Sequence, residues 1–124
     1  MKVYIAGPYS ARAPEVVVDN VGAAMQAWED LRAAGFTPFC PHWTHEQVRF
    51  YSDRRHYEDW LAWDLEWLEC CDAVLRLPGA SPGADREVAR ADELGLPVFD
   101  YIDDLIEHRE EVMRQQDAQQ ATVF

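Results

Sequence analysis

Cysteine is scarce in this 124-residue chain, and its three copies, Cys40 and the adjacent Cys70 and Cys71, make an odd count without framework spacing. Disulfide stapling is therefore not expected, and reduced, buried thiols are. Long apolar runs are missing too: no stretch approaches the roughly 20 residues of a membrane-spanning helix. The N-terminus enters a strand pattern at once, with no basic segment ahead of an apolar one, so a cytoplasmic protein without a membrane partner is expected. Basic residues are few, 11 Lys and Arg against 23 Asp and Glu, and the net charge of −12 repels a polyphosphate backbone. A nucleic-acid polymer is thereby disfavoured as partner, whereas a small anionic ligand is admissible where arginines gather. Repeats and interdomain linkers are absent as well.

What is present is ordinary for a soluble globular domain: 48% hydrophobic and 27% charged residues, with five Trp, in a length that suits one core. Residues 2–6 read as a buried strand that stops at Gly7-Pro8-Tyr9-Ser10. Pro14 to Ala34 carries Val17, Val21, Ala24, Trp28 and Leu31 at helical spacing, with Pro14 in the first turn and Gly35 as the stop. Residues 36–39 form a second strand. The segment 40–56 mixes His, Trp, Arg and Tyr without a period, and such length in a small domain usually marks a functional loop. A helix over 57–69, a strand over 73–77, a helix over 83–94 ended by Gly95, and a strand over 97–101 follow. From Asp103 the chain starts helical and turns polar and Gln-rich, read as a frayed end or a partner contact.

Alternating strands and helices imply an α/β Rossmann-like three-layer domain: a parallel sheet of four to five strands with helices on both faces. Residues 1–102 would form its body and 103–124 a C-terminal helix and tail of the same domain. Ligands of such sheets bind at the carboxyl ends of the strands, where loops 7–13, 40–56 and 78–83 converge.

Two carboxylates fall on apolar stripes. Glu87 shares one helix face with Ala84, Val88, Ala91 and Leu94. Asp64 lies within the arc of Trp60, Trp63, Trp67, Leu68 and Cys71. A buried carboxylate costs several kcal/mol unless its charge is used, by an arginine, by a backbone or tryptophan donor, or by chemistry. Paired inward acids suit glycosidic chemistry, one at an anomeric carbon and the other moving a proton to or from the leaving group. Ser81-Pro82-Gly83 opens the helix of Glu87, with Ser81 as N-cap and a hydroxyl close to any ligand there. Tyr4, on the first strand, is either core or a phenol reaching the site. Cys40, His42, His45 and His56 have ligand types that suit zinc but match no strong spacing, so no metal is expected. Pro41, His42, Trp43 and His45 instead shape a pocket wall, or fill the sheet edge. The tryptophans of the second helix read mainly as core, one of them lining the pocket. Arg54-Arg55 reads as a solvated turn within reach of a phosphate.

These residues, in this order, resemble the nucleoside 2-deoxyribosyltransferase superfamily, including its 2'-deoxynucleoside 5'-monophosphate N-hydrolases, over residues 2–101. The resemblance is carried by Val3-Tyr4-Ile5-Ala6-Gly7-Pro8-Tyr9-Ser10, by Asp64 eight residues before Asp72-Ala73-Val74-Leu75, by Ser81-x-Gly83-x-x-x-Glu87, and by Ala91-Asp92-Glu93-Leu94-Gly95-Leu96-Pro97-Val98. It implies Glu87 as nucleophile at C1', Asp64 as the acid that contacts the sugar and assists proton transfer, and Tyr4 as the phenol positioning the nucleophile. Ser81 stands where transferases often carry an acid and the monophosphate hydrolases a phosphate-binding serine. Pro8 departs from a serine of those hydrolases, so Ser10, Arg12 and Ser81 would supply phosphate contacts. The expected substrate site comprises Gly7, Pro8, Tyr9, Ser10, Arg12, His42, Trp43, Ser81 and Gly83. Asp85, beside the nucleophile, is expected to point sideways. The expected activity is cofactor-free N-glycoside cleavage of a small-molecule nucleoside or nucleoside 5'-monophosphate, by a homodimer or higher homo-oligomer. Base exchange, ligand binding without turnover and a purely structural role are the alternatives.

Overall fold

Val3, Tyr4, Ile5 and Ala6 are completely buried, although a strand turns successive side chains to opposite faces. Both faces of this strand, β1 (Lys2–Ala6), must therefore be covered by other elements. In the computed structural model, which describes residues 1–49 and 57–123, they are. Val3 and Ile5 enter one cluster with Ala24, Leu31, Phe36 and Leu105, whereas Tyr4 and Ala6 enter the other with Leu68, Val74, Ala84 and Ala91.

The first cluster is built by α1 (Pro14–Ala33) and α5 (Ile102–Val123), the second by α3 (Tyr57–Leu68) and α4 (Pro82–Leu94). Between them lies a four-stranded, all-parallel sheet in the order β2 (Thr37–Phe39), β1, β3 (Ala73–Arg76), β4 (Val98–Phe99). Tyr4 pairs with Phe39 on one side and Val74 on the other. The chain is thus an α/β domain with the three-layer Rossmann-like architecture expected from its strand and helix rhythm.

Glycine ends two of the helical segments as anticipated: Gly35 and Gly95 adopt φ of 92° and 74°, where a β-carbon would be strained. At the other end of α4, Ser81 Oγ accepts a hydrogen bond from Ala84 N at 3.1 Å and Pro82 takes the first helical position. Ser81→Ala should lower the unfolding free energy by about 1 kcal/mol, read from the urea midpoint at unchanged m-value. An unshifted midpoint would show that the cap contributes nothing.

Four sequence expectations are corrected. The segment after β2 is not an aperiodic loop throughout: Pro41–His45 forms the short helix α2, and Glu46–Arg49 a 3-10 turn. Its remainder, with Arg54, Arg55 and His56, lies outside the described residues. The tryptophans of α3 are not core, since Trp63 and Trp67 are about half exposed while Leu61, Asp64 and Leu68 are buried. The last strand is shorter than residues 97–101, spanning two residues. The C-terminal residues, whose last few were expected to be a frayed tail or a partner contact, continue as helix to Val123, anchored near the start by fully buried Leu105. Arg109 ties this helix to the body, donating to Ala34 O at 2.7 Å with its guanidinium 4.0 Å from the Phe36 ring centroid.

Candidate active site

A cleft of about 610 Å³ opens at the carboxyl ends of β1 and β3. The loop after β1 lines it from Gly7 to Ser10, α3 contributes Trp60 and Asp64, and the start of α4 contributes Ser81 to Ala84, Arg86 and Glu87. His45, the last residue of α2, completes the lining.

Close backbone approach sets its shape. A β-carbon on Gly7 would lie 2.9 Å from Leu77 Cβ, and one on Gly79, whose φ is 112°, 2.9 Å from Pro8 Cγ. The loops after β1 and β3 are therefore packed on each other through two glycines. Arg76 holds the second loop, donating to the Leu77 carbonyl, to Gly79 O at 3.0 Å and to Asp85 Oδ1 at 3.2 Å. Asp85 points away from the acids, as expected from its place on the helix, with a side chain 73% exposed.

Glu87 and Asp64, 6% and 4% exposed, are two of the three buried polar residues among those described. The Tyr4 hydroxyl donates to Glu87 Oε2, so the phenol carried by β1 reaches the carboxylate carried by α4. Burial raises the Glu87 carboxyl to about 8, with the Asp64 charge adding to the rise and the Tyr4 hydrogen bond and Arg76 opposing it. The Tyr4 phenol is pushed well above its usual value, first by burial and then by the neighbouring Glu87 and Asp64 charges. Asp64 Oδ2 accepts from His45 Nε2 at 2.9 Å, whereas Oδ1 is buried without a hydrogen-bond partner among the described residues.

Not every residue expected at the site lies in the cleft. Tyr4, Asp64 and Glu87 are brought together, and Gly7, Pro8, Tyr9, Ser10, Ser81 and Gly83 line the cavity. Arg12 is exposed and outside the lining. His42 is buried behind it, its Nε2 donating to Pro8 O at 3.0 Å; burial lowers its pKa, so the ring supports the loop as a neutral imidazole. Trp43 is turned outward against Trp28, ring centroids 5.0 Å apart. Conversely, Arg86 lies in the lining without having been singled out, and it bridges α4 to α3 through Glu58 at 2.7 and 3.2 Å. Arg76 was missed as well. A lone arginine at a strand end carries no periodic signal. Trp60 is the tryptophan of α3 that reaches the cleft.

No group of three His, Cys, Asp or Glu side chains is placed to hold a metal among the described residues. Nor, among them, is any helix long and apolar enough to cross a membrane. Cys40 is buried, which raises its thiol to about 11 and makes it a poor ligand and nucleophile.

The fold and cleft define a Rossmann-like α/β domain with a phenol and two carboxylates gathered at the switch between its loops. More particularly, the chain belongs to the family described as Domain of unknown function (DUF7768), whose profile matches residues 1–101. No curated protein matches it in sequence. Among solved structures it is similar to a 2-deoxyribosyltransferase from Bacillus psychrosaccharolyticus, described as a biocatalyst for the synthesis of antiviral and antitumoral nucleosides. The TM-score is 0.59 at 23% identity, covering 79% of this chain and 69% of that one. The likeness is one of fold.

Proposed function

We propose that this protein cleaves the bond between base and sugar in a nucleoside or nucleoside 5'-monophosphate, through a covalent glycosyl-enzyme on Glu87. The observation that carries this reading is the Tyr4–Glu87 hydrogen bond in a cleft that also holds Asp64. The similarity of fold to a 2-deoxyribosyltransferase supports a nucleoside as substrate.

Tyr4 engages Oε2 of Glu87, so attack on C1' falls to Oε1. As the C1'–N bond breaks, its electron pair leaves with the base, which takes up a proton with the help of Asp64, and the sugar is left esterified to Glu87. Water then releases the sugar and returns the carboxylate. The aromatic residues Tyr9 and Trp60 line the cleft and are candidates to contact a base. No cofactor enters any step.

A panel of nucleosides and their monophosphates, followed for free base by chromatography, tests the reading. The nucleophile must be ionised, and kcat/KM reports the free enzyme. It should therefore climb about tenfold per pH unit and level off near pH 8, where Glu87 loses its proton. Absence of free base from every member of the panel overturns the assignment. Free base released only in the presence of a second base would mark a transferase instead.

A further inference from the structure

We propose that His45 is a positioning residue: it fixes the Asp64 carboxylate so that one oxygen is presented, without a protein partner, to a hydrogen-bond donor on the substrate. This inference rests on the glycosidic reading of the cleft.

Asp64 is 4% exposed, and an aspartate so buried needs donors for its lone pairs. It has one, His45 Nε2, at 2.9 Å from Oδ2. Oδ1 is buried and has no hydrogen-bond partner among the described residues. An orphaned acceptor on a residue lining a cleft is what a ligand donor would satisfy. His45 decides which oxygen that is, because holding Oδ2 fixes the plane of the carboxylate.

The ring that does this, carried by α2, is itself immobilised from two other elements. Its centroid lies 5.0 Å from that of Tyr9, edge-on, and 4.6 Å from that of Trp60, one helical turn before Asp64. The backbone is held too, since the Tyr9 hydroxyl donates to His45 O at 3.2 Å and Asn20 Nδ2 to Tyr9 O at 3.1 Å. The loop after β1, α2 and α3 thus meet on one imidazole. A residue whose task was only to neutralise a buried acid would need no such frame. A residue that aims an oxygen does.

Two substitutions separate aiming from packing. His45→Phe keeps a ring between Tyr9 and Trp60 but has no donor; His45→Gln restores an N–H at similar reach. For base release from 2'-deoxynucleosides, His45→Phe should lower kcat by about 10- to 100-fold, the usual loss on removing a supporting partner. His45→Gln should recover at least about tenfold of the lost kcat. Wild-type kcat in His45→Phe, or a Gln variant no better than Phe, overturns the proposal.

Should the wild-type protein release no base, the glycosidic reading fails, and His45 is judged on affinity for the same 2'-deoxynucleosides, read from tryptophan fluorescence. Affinity weakened about tenfold in His45→Phe and regained in His45→Gln sustains its positioning role. Equal affinities in all three proteins, or no binding by the wild type, overturn it.

Discussion

Glu87→Gln is expected to make the protein inactive and, at alkaline pH, more stable. In the folded state Glu87 keeps its proton up to about pH 8, whereas an unfolded glutamate releases it near the ordinary 4.5. Between those values the folded state binds more protons, so its stability falls as pH rises. The slope approaches about 1.4 kcal/mol per pH unit, which over this window sums to several kcal/mol, discounted for relaxation around the charge. Glutamine has the shape of the protonated acid and cannot ionise. Thermal midpoints of the two proteins should coincide near pH 4 and separate by about 10 °C or more at pH 8.5, the variant being the higher. Base release should fall by at least about a thousandfold if Glu87 is the proposed nucleophile. Midpoints that run parallel across the pH range would show that Glu87 is not the group held protonated by burial.

Asp64→Asn has the second largest expected effect, in two parts: a loss of rate and a shift along the pH axis. On the proposed mechanism, loss of the carboxylate removes the group that assists the proton and meets the substrate donor, so kcat should fall by about 100- to 10,000-fold. The Asp64 charge is also one of the causes that raise the Glu87 carboxyl. Without it, Glu87 ionises at lower pH, and the acid limb of kcat/KM should move down from its wild-type position near 8. A rate loss with the limb unmoved would mean that the two acids do not feel each other. Tyr4→Phe serves as the control of sign: its hydrogen bond lowers the Glu87 value, so removing it should move the same limb up.

Both acids were legible because a helix repeats. Ala84, Glu87 and Ala91 are buried on one face of α4, as a stripe drawn on the sequence requires. The same procedure misplaced the tryptophans of α3. An arc counted by hydrophobicity gathers Trp63 and Trp67 around Asp64, but the buried face is centred on Leu61, Asp64 and Leu68, and Trp67 stacks from the flank on Phe39 at 5.3 Å. Large rings can cover a surface while half exposed, which hydropathy alone does not register. His45 was named only as part of a pocket wall. Its partner lies 19 residues further along the chain, across a segment with no period to read. His42 and Trp43 sit on the same short helix and point elsewhere, and five residues make too short a pattern to tell the three apart. Tyr4 was undecidable between core and site, and it is both: completely buried, and bonded to Glu87.

That double role follows from parity. On β1 the odd positions, Val3 and Ile5, serve one side of the sheet, and the even ones, Tyr4 and Ala6, serve the other. A single residue inserted ahead of Tyr4 would exchange the faces of the residues that follow, sending the phenol into the layer of α1 and α5 and the isoleucine into that of α3 and α4. Substitutions within one parity class test packing or chemistry separately; a frameshift of one position removes both at once.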